Sequence, residues 1–346
     1  MRNVDIQERR KNILYAIVES YIENAMPVGS RTISQRFRHS MSPATIRNVM
    51  ADLEEIGLIT HPHTSAGRVP TDKGYRIYVD SLLPTNNLTK DEEHLITRLF
   101  NKRFEDFDSL MQKTSTAINM ITDLVGVVLT PRLKRSTFKH IEFIQIDPSR
   151  MLTVLITGSG FVKNSIIDID KDIVKNELYR IVEFLNQELE GMFLGEIKNH
   201  LTRKLLEERD SFYTFLEKAI SMLSSANVLR TEDRVYFEGA TSVILNPEFQ
   251  DIKKARLFLK CLEDKKDIVS IFNEDMDREG IKVHIGRENN CKDMQGCAVI
   301  TCNYKIKDRT IGVLGAIGPT RMEYGKVIPA VKYLSHVLGK VLEDLG

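Results

Sequence analysis

The stretch MSPATIRNVMADLEEIGLI, residues 41–59, decides the fold of the N-terminal region. It predicts one helix, because Ser42 is a good N-cap, Pro43 suits the first helical position and Gly57 suits the C-terminal end. The apolar residues at helical spacing, which predict its buried side, are Ile46, Val49, Met50, Leu53 and Ile56. Small polar residues and an arginine occupy the first half of this helix, whereas three acids occupy the second half.

The segments on either side of this helix predict two preceding helices, a following hairpin and a further helix. An apolar stripe ending at Ile22 predicts a first helix that stops before Pro27, and Ser30 is the candidate N-cap of a second helix. After the third helix, two short strands within residues 58–71 form a hairpin, and the chain then becomes helical again. Three short helices followed by a small hairpin predict a winged helix-turn-helix.

The side of the third helix opposite its apolar stripe suits the reading of DNA bases. Its residues are Ala44, Arg47, Asn48 and Ala51, with Ser42 and Thr45 near the leading end. Arginine offers two parallel donors to guanine, asparagine pairs with adenine, and alanine can touch a thymine methyl group. Since the helix dipole adds positive potential at the N-terminus, we predict that this half enters the major groove. The acids at the other end would limit the insertion.

Further basic residues are candidates for contacts to the DNA backbone or the minor groove. They are Arg31, Arg36, Arg38, Arg68, Lys73 and Arg76. No acid interrupts residues 31–47, which hold four arginines. Arg68 lies in the predicted wing, where it could reach a minor groove or a phosphate, and Lys73 follows just behind it. An ordinary solvated surface is the alternative interpretation of these charges.

Composition restricts the class of protein. The 346 residues carry a net charge of +1 and 42% hydrophobic residues, enough for two or three globular domains. We expect a soluble cytoplasmic protein with no membrane segment, because no apolar run approaches about 18 residues. The four cysteines lack CxxC spacing and His61 and His63 lack a third ligand nearby, so reduced thiols and no metal or other cofactor are expected.

The sequence offers little support for catalysis. The segment TGSGF at 157–161 is not a GxSxG motif, and neither a P-loop nor an HExxH motif occurs. We therefore predict no catalytic residues and no enzymatic activity. The segment GVLGAIGPTR resembles a phosphate loop, although glycines at a strand end more often mark a tight turn. Arg321 within it is either structural or a phosphate ligand.

The remaining chain has a mixed pattern. Apolar residues from Phe107 to Val128 repeat at about 3.5 residues and predict a long helix packed on a domain or on a second subunit. Strands are predicted at 139–146, 151–157 and 161–169, then charged helices from 174 to about 226, then alternating strands and helices to the C-terminus. This pattern predicts an antiparallel α+β domain interrupted by a mostly helical insertion.

Two segments resemble one bacterial family closely. SPATIRNVMADLEEIGLITHPHTSAGRVPTDKGYRIYVDSLL and GVLGAIGPTRMEYGKVIPAV are similar to the heat-inducible transcription repressor family HrcA. The resemblance implies a winged-helix DNA-binding domain at 1–82 and a GAF-like domain at 88–170 and 241–346, with an inserted dimerisation domain at 171–240. It also implies a homodimer that binds the CIRCE inverted repeat upstream of chaperone operons and depends on the GroE chaperonin.

The residues alone indicate a narrower conclusion. They favour binding to double-stranded DNA, with a symmetric dimer on a palindrome as the usual way in which a small reading head gains specificity. A second hypothesis is a winged-helix regulator whose GAF-like domain senses a small metabolite. The position of the operator separates the two hypotheses, because a CIRCE repeat beside chaperone genes favours the first and an operator beside catabolic genes the second.

Overall fold

The computed structural model describes most of the chain in two compact units. The described residues are 2–38, 40–63, 66–82, 88–100, 107–130, 136–158, 160, 162–168, 175–207, 211–226, 234–244, 246–249, 251–307 and 309–345. The first unit comprises Met1–Leu129, Val235–Tyr304 and Val313–Leu338. The second comprises Thr130–Arg234, Lys305–Gly312 and Gly339–Gly346.

Helices and strands alternate along the chain. The helices are α1 Arg2–Asn24, α2 Ser30–Arg36, α3 Pro43–Glu55, α4 Asp72–Leu82, α5 Lys90–Phe100, α6 Phe107–Thr122, α7 Lys175–Leu189, α8 Leu194–Glu207, α9 Ser211–Ser225, α10 Ala240–Ile244, α11 Ile252–Asp264, α12 Lys266–Met276 and α13 Tyr324–Leu345. The strands are β1 Ile59–Thr60, β2 Val69–Pro70, β3 Val125–Leu129, β4 Phe138–Asp147, β5 Arg150–Thr157, β6 Val162–Asp168, β7 Val235–Glu238, β8 Ile281–Ile285, β9 Cys297–Ile306 and β10 Arg309–Pro319.

The N-terminal elements form a reading head, which we define as residues 2–82. Helices α1, α2 and α3 precede the antiparallel hairpin β1–β2, and α4 follows it, as the sequence predicts. The side chains that fill the head's core, all at most 4% exposed, include Ile13, Leu14, Ile17, Ile33, Ile46, Met50 and Leu53. The apolar stripes of α1 and α3 therefore face each other, and the opposite side of α3 is left to solvent.

Three details of the head differ from the sequence-based expectation. The N-cap of α2 is Gly29 rather than Ser30, and it makes no side-chain capping bond. Ile56, predicted on the buried side of α3, is 56% exposed because the helix ends at Glu55 and the chain turns away. Gly57 follows at φ +76°, a left-handed conformation that glycine adopts without strain, so Ile56 is the C-cap and Gly57 the next residue.

The rest of the first unit is built on a five-stranded sheet with the order β7-β3-β10-β9-β8. The pairs β3–β10, β3–β7 and β8–β9 are antiparallel. One face packs against α11 and α12, where Phe258 and Phe272 join strand residues such as Val299 in one core cluster. On the other face, Tyr304 of β9 donates a hydrogen bond to the Leu129 carbonyl at 3.0 Å and contacts Met111 of α6.

The prediction of one long helix from Phe107 to Val128 is wrong for the last residues of that range. Helix α6 ends at Thr122, Asp123 adopts φ +56°, and Val125–Leu129 form the fully buried strand β3. A run of valines around a glycine favours a strand that is buried on both faces. Gly126 is required there, since a Cβ atom would lie 2.1 Å from the Ser115 carbonyl oxygen.

The second unit contains a separate three-stranded antiparallel sheet with the order β4-β5-β6. Helix α7 covers one face and buries Ile181 and Leu185 completely. The Asn186 amide links α7 to β4, because it accepts from the Ile141 amide at 2.7 Å and donates to the Ile141 carbonyl at 2.9 Å. Helices α8 and α9 complete this unit in the charged helical segment that the sequence predicts.

The sequence-based domain limits stay a prediction, and the contacts divide the chain differently. The strands β4–β6, predicted within the GAF-like portion 88–170, belong to the second unit. That unit begins at Thr130, well before the predicted insertion at 171. Among the described helices, none has the length and apolar character needed to cross a bilayer.

Candidate nucleic-acid interface

The leading end of α3 is held in a defined geometry by its cap. The Ser42 hydroxyl accepts a hydrogen bond from the Thr45 amide at 3.1 Å and lies 2.9 Å from the Thr45 hydroxyl. Pro43 occupies the first helical position, where no amide hydrogen is needed. The remaining free amides and the helix dipole therefore point towards solvent with positive potential, which attracts a phosphate.

The face of α3 opposite the core is exposed over its first half. Ala44, Arg47, Asn48 and Ala51 are all exposed, while Thr45 is half-buried beside the cap. On the inner side, Ile46, Met50 and Leu53 are at most 4% exposed, so the helix cannot rotate without losing its core contacts. The structure thus brings the predicted base-reading side chains together on one rigid, accessible surface, which we call the reading face.

Two of the three acids in the second half of α3, Asp52 and Glu54, are engaged within the head. The Asp52 carboxylate accepts from Arg10 of α1 at 2.6 Å. The Glu54 carboxylate accepts from the Arg68 guanidinium at 2.8 Å and forms a short hydrogen bond with His61. The His61 hydrogen bond is the largest cause that lowers the pKa of the Glu54 carboxyl, with Arg68 adding to it against a smaller effect of burial. These acids therefore fix α1 and the wing onto α3.

The wing is anchored at its base by the backbone. Val28 and Arg68 exchange two backbone hydrogen bonds of 2.8 and 2.9 Å, so the segment after α1 is joined to the hairpin by one β-bridge. Gly67 permits this approach, because a Cβ atom there would lie 2.6 Å from the Pro27 backbone. Thr64 and Ser65, at the wing turn, lie outside the described residues.

The six further basic candidates fall into two groups. Arg31, Arg38 and Lys73 are exposed, and within the described part of the chain they have no carboxylate partner. Arg36, by contrast, bonds to Glu19 at 2.6 Å and to Glu23 at 3.1 Å, both on α1. Its guanidinium therefore contributes to the packing of α2 on α1. Arg68 is engaged by Glu54, as described above.

Arg76 also has partners inside the protein, although the sequence places it behind the wing. It bonds to Glu288 in the loop between β8 and β9, to the Val283 carbonyl, and to Asp80 at 3.1 Å. Asp72 of the same helix accepts from the Arg287 backbone amide at 3.0 Å. Helix α4 is thus attached to the loop that follows β8, and we call this set of contacts the anchor.

A second attachment comes from Arg321, for which the sequence left a structural role and a phosphate-binding role open. Its guanidinium donates to Glu248 at 2.9 Å, to Asn246 at 3.3 Å and to the Ile22 carbonyl in α1. It is only 11% exposed, so the structure gives it a structural role. Beside it, the rings of Tyr75 and Tyr324 lie 5.9 Å apart.

Comparisons with known proteins cover nearly the whole chain. Residues 5–81 match the family model for the winged helix-turn-helix transcription repressor, HrcA DNA-binding domain, and residues 108–328 match that for the HrcA protein C terminal domain. A relative from Geobacter sulfurreducens, named heat-inducible transcription repressor HrcA, is 38% identical and covers 98% of this chain and 99% of its own. One of the same name from Pelotomaculum thermopropionicum is 36% identical and covers 98% of each chain.

The chain belongs to the HrcA family. Its reading head is the HrcA DNA-binding winged helix-turn-helix domain, as the sequence resemblance predicts. A crystal structure of a protein described as hypothetical, at 2.2 Å resolution, shares the fold with a TM-score of 0.70 and 24% identity, and covers 98% of this chain and 99% of its own. The mixed helix and sheet architecture is therefore that of a solved structure over its full length.

Sequence reasoning did not find the residues that position this HrcA head. The sequence presents Glu54 only as one of the three acids that limit insertion, and it indicates no role for Arg10 or Glu288. A local signal existed for Glu54, since His61 and Arg68 follow it within 14 residues. No local signal existed for Glu288, because it is 212 residues from Arg76 along the chain.

Proposed function

We propose that this HrcA-family protein is a negative regulator of chaperone operons that binds the CIRCE inverted repeat as a homodimer and blocks transcription. The observation that carries the proposal is the reading face, where exposed cationic and amide side chains stand on a helix fixed by its core and its cap. The full-length similarity to repressors named heat-inducible supports the stress response. The proposed role is regulatory rather than catalytic.

Each residue of the reading face receives a role from its chemistry. We assign Arg47 to a guanine and Asn48 to an adenine, with Ala44 and Ala51 allowing close approach and contact with thymine methyl groups. Ser42 and Thr45 lie at the helix N-terminus, where a phosphate would sit. Arg31, Arg38 and Lys73 are exposed cations for neighbouring phosphates.

The paired arginines receive a different role. Arg36, Arg68 and Arg76 have carboxylate partners within the protein, so contact with a phosphate would require them to exchange or share those partners. We propose that Arg36 and Arg76 position the head and that Arg68 mainly shapes the wing. The loss of Arg68 would then weaken binding to all sequences about evenly.

We propose that the second unit forms the dimer. The face of its three-stranded sheet opposite α7 carries a cross-strand row in which Ile144 pairs with Leu152 and Leu152 with Ile166. Ile144 is 49% exposed and Ile166 57% exposed, which is unusual for isoleucines in register across a sheet. The five-stranded sheet of the first unit, with helices on both faces, is the part that we assign as GAF-like.

The dimer assignment is tested with one exposed isoleucine in the sheet and one outside it. Ile144→Asp should convert the dimer to a monomer in light scattering at low micromolar concentration, because a charge would be buried at the interface. Ile252→Asp is the matched control, since Ile252 is 82% exposed at the start of α11 in the first unit. If the Ile144→Asp protein remained a dimer, the dimer interface would lie elsewhere in the chain.

We propose that the GroE chaperonin maintains the active state. In the described part of the chain, the contacts that hold the head to the rest of its unit include the anchor, Arg321 and the Tyr75–Tyr324 ring pair, and we propose that modest destabilisation releases the head. Losing about 1.4 kcal/mol of stability changes the folded-to-unfolded ratio tenfold. Such a change would empty an operator that is only modestly saturated, which links folding stress to chaperone expression.

The alternative is a regulator that senses a small metabolite. A cavity of about 800 Å³ between α4 and the loop after β8 favours it, since ligand pockets commonly have this size. Its lining includes Lys73, Ile77 and Arg287 beside the anchor residues. A ligand there would act directly on the attachment of the head.

One experiment separates these proposals. Purified protein is mixed with a duplex carrying the CIRCE repeat or a scrambled repeat, and mobility shifts are measured before heating, after heating, and after addition of chaperonin with ATP. We expect binding to the intact repeat, loss of binding with aggregation after heat, and recovery with chaperonin alone. Binding that survives heat, or recovery that requires a small molecule and ignores chaperonin, would favour the metabolite sensor.

A further inference from the structure

Three side chains with metal-binding chemistry converge in the first unit, outside the reading head. Cys261 lies on α11, Asp267 in the first turn of α12, and Cys291 in the loop between β8 and β9. One sulfur or carboxylate oxygen from each lies within 4.8 Å of the other two. The Cys291 thiol donates a hydrogen bond to the Asp267 carboxylate at 2.9 Å. We call these three residues the thiol cluster.

The spacing of the thiol cluster fits a tetrahedral ion. Zinc–sulfur bonds of about 2.3 Å and zinc–oxygen bonds of about 2.1 Å place neighbouring ligand atoms roughly 3.5–3.8 Å apart. Ligand atoms that already lie within 4.8 Å of one another reach those distances by side-chain shifts of about 1 Å. The three ligand atoms are therefore close enough to one another to share one ion.

The backbone around the thiol cluster is firmly positioned. The buried Asn289 amide donates to the carbonyl oxygens of Gly286, Met294 and Cys297 at 3.0, 3.2 and 2.9 Å. These bonds shape the loop that carries Cys291. A ligand set held in place before binding loses little conformational entropy when it takes up an ion.

We propose that Cys261, Asp267 and Cys291 form a site for one soft divalent cation of the Zn²⁺ type, with two thiolates and one carboxylate as ligands and water at the fourth position. The cation replaces the two thiol protons, which pass to solvent, and no oxidation is involved. Cys291 and Asp267 are half-buried rather than buried, so solvent and the ion have access. Two thiolates select against Mg²⁺, which prefers oxygen ligands alone.

The sequence did not indicate this site because its ligands are not closely spaced in the chain. Residues 261, 267 and 291 lack the CxxC pairing that marks most zinc sites in a sequence. Cys302 provides a contrast within the same unit, since it is buried against Ser335 of α13 at 3.2 Å and lies outside the cluster. An ion in the thiol cluster would join α11, α12 and the loop that also carries Glu288 of the anchor.

The binding test uses the untagged full-length protein, purified under a non-chelating phosphine reductant. Titration with Co²⁺ should give one ion per chain with the absorption of a thiolate-to-cobalt charge transfer, and Zn²⁺ should displace it. With Zn²⁺ at 100 times its Kd, the Tm should rise by about 5 °C. Mg²⁺ at the same concentration should change neither signal.

Substitutions of the proposed ligands test whether the metal ion binds at these residues. Cys291→Ser and Asp267→Asn should each weaken Zn²⁺ binding about 100-fold, whereas Cys302→Ser removes a thiol from the same unit and should leave the affinity unchanged. Cys261→Ser should likewise weaken binding and reduce the thiolate-to-cobalt absorption, because one of the two thiolates is lost. If that buried substitution prevents folding, Cys291→Ser decides the matter because its side chain is half-exposed. Absence of a one-to-one cobalt complex, or a cobalt complex of unchanged affinity and absorption in Cys291→Ser, would overturn the proposal.

Discussion

The reading face of α3 and the anchor on α4 carry the same residue type in opposite surroundings. Arg47 is exposed and without a carboxylate partner in the described chain, whereas Arg76 is held by Glu288 and Asp80. The difference shows that the role of an arginine in this head depends on which acids the fold brings beside it. An unpaired guanidinium is available to an anion from outside, and a paired one stabilises the protein.

Helix α2 repeats the contrast over five residues. Arg31 is exposed near its start, while Arg36 at its end bonds to two glutamates of α1. Both belong to the acid-free run between residues 31 and 47, which the sequence presents as one basic patch. The patch is therefore divided between an outward face and an internal contact.

The largest expected effect is the dependence of DNA binding on salt. If two heads neutralise about six phosphates, affinity should fall by about 10³-fold or more between 50 and 200 mM salt, because condensed counterions are released on binding. Unfolding monitored by urea over the same salt range should change far less, since the paired Arg76 of the anchor is partly shielded from solvent. A mobility-shift titration with a salt slope near zero would refute the role of the exposed cations.

The next effect concerns base preference. Arg47→Ala or Asn48→Ala should cost about 1–3 kcal/mol of binding free energy and relax the preference at one position in each half-site. Binding-site selection followed by sequencing measures this preference directly. Arg36→Ala is the matched comparison, because it removes an arginine of the same head that is already paired with Glu19 and Glu23.

The Arg36 variant should be less stable in urea while its preferred site remains that of the parent protein. If instead Arg47→Ala left the selected sequence unchanged, the assignment of α3 as the base-reading helix would be wrong. If Arg36→Ala altered it, the division between reading and positioning arginines would fail.

Local signals predicted most of the head. Ser42, Pro43 and the apolar stripe are sufficient to place α3, because capping and periodicity depend only on neighbouring residues. The same local information failed at Val125–Leu129, where an apolar run is compatible with a helix or a buried strand. The segment forms a strand because elements that are distant in the sequence bury it on both faces.

The partners of charged residues could not be predicted in this way. The Arg76–Glu288 pair joins residues far apart in sequence, and nothing near either residue indicates the other. The thiol cluster has the same property, since its three ligands come from separate segments. The sequence therefore predicts which side chains are candidates for contacts with DNA, and the fold decides which of those candidates already have carboxylate partners within the protein.

A smaller effect is expected when the charge of one paired arginine or of one exposed arginine is removed. Arg76→Gln should lower the free energy of unfolding by about 1–2 kcal/mol, because it removes charge-assisted hydrogen bonds to Glu288 and the Val283 carbonyl. Arg31→Gln removes the same charge from an exposed position and should leave stability within about 0.5 kcal/mol. In DNA binding at low salt, Arg31→Gln should show the direct loss of one phosphate contact. Equal stability of the two variants would contradict the anchor.

The smallest effect is the acid sensitivity of the anchor. Burial raises the pKa of the Glu288 carboxyl, but hydrogen bonds from Arg76 and from the Ile285 amide outweigh burial and hold the pKa below the ordinary value of 4.5. A carboxyl with a lowered pKa in the folded state contributes stability above its unfolded pKa, and this contribution disappears as the pH falls through the folded pKa.

Urea unfolding of the parent protein between pH 6 and about pH 3 should therefore show a loss of stability on the acid side that Glu288→Gln reduces. The reading face of Ala44, Arg47, Asn48 and Ala51 carries no carboxyl group, so Asn48→Ala should keep the parent's acid-side slope. An identical slope in the parent and Glu288→Gln proteins would mean that the Arg76–Glu288 contact contributes nothing to the attachment of the head.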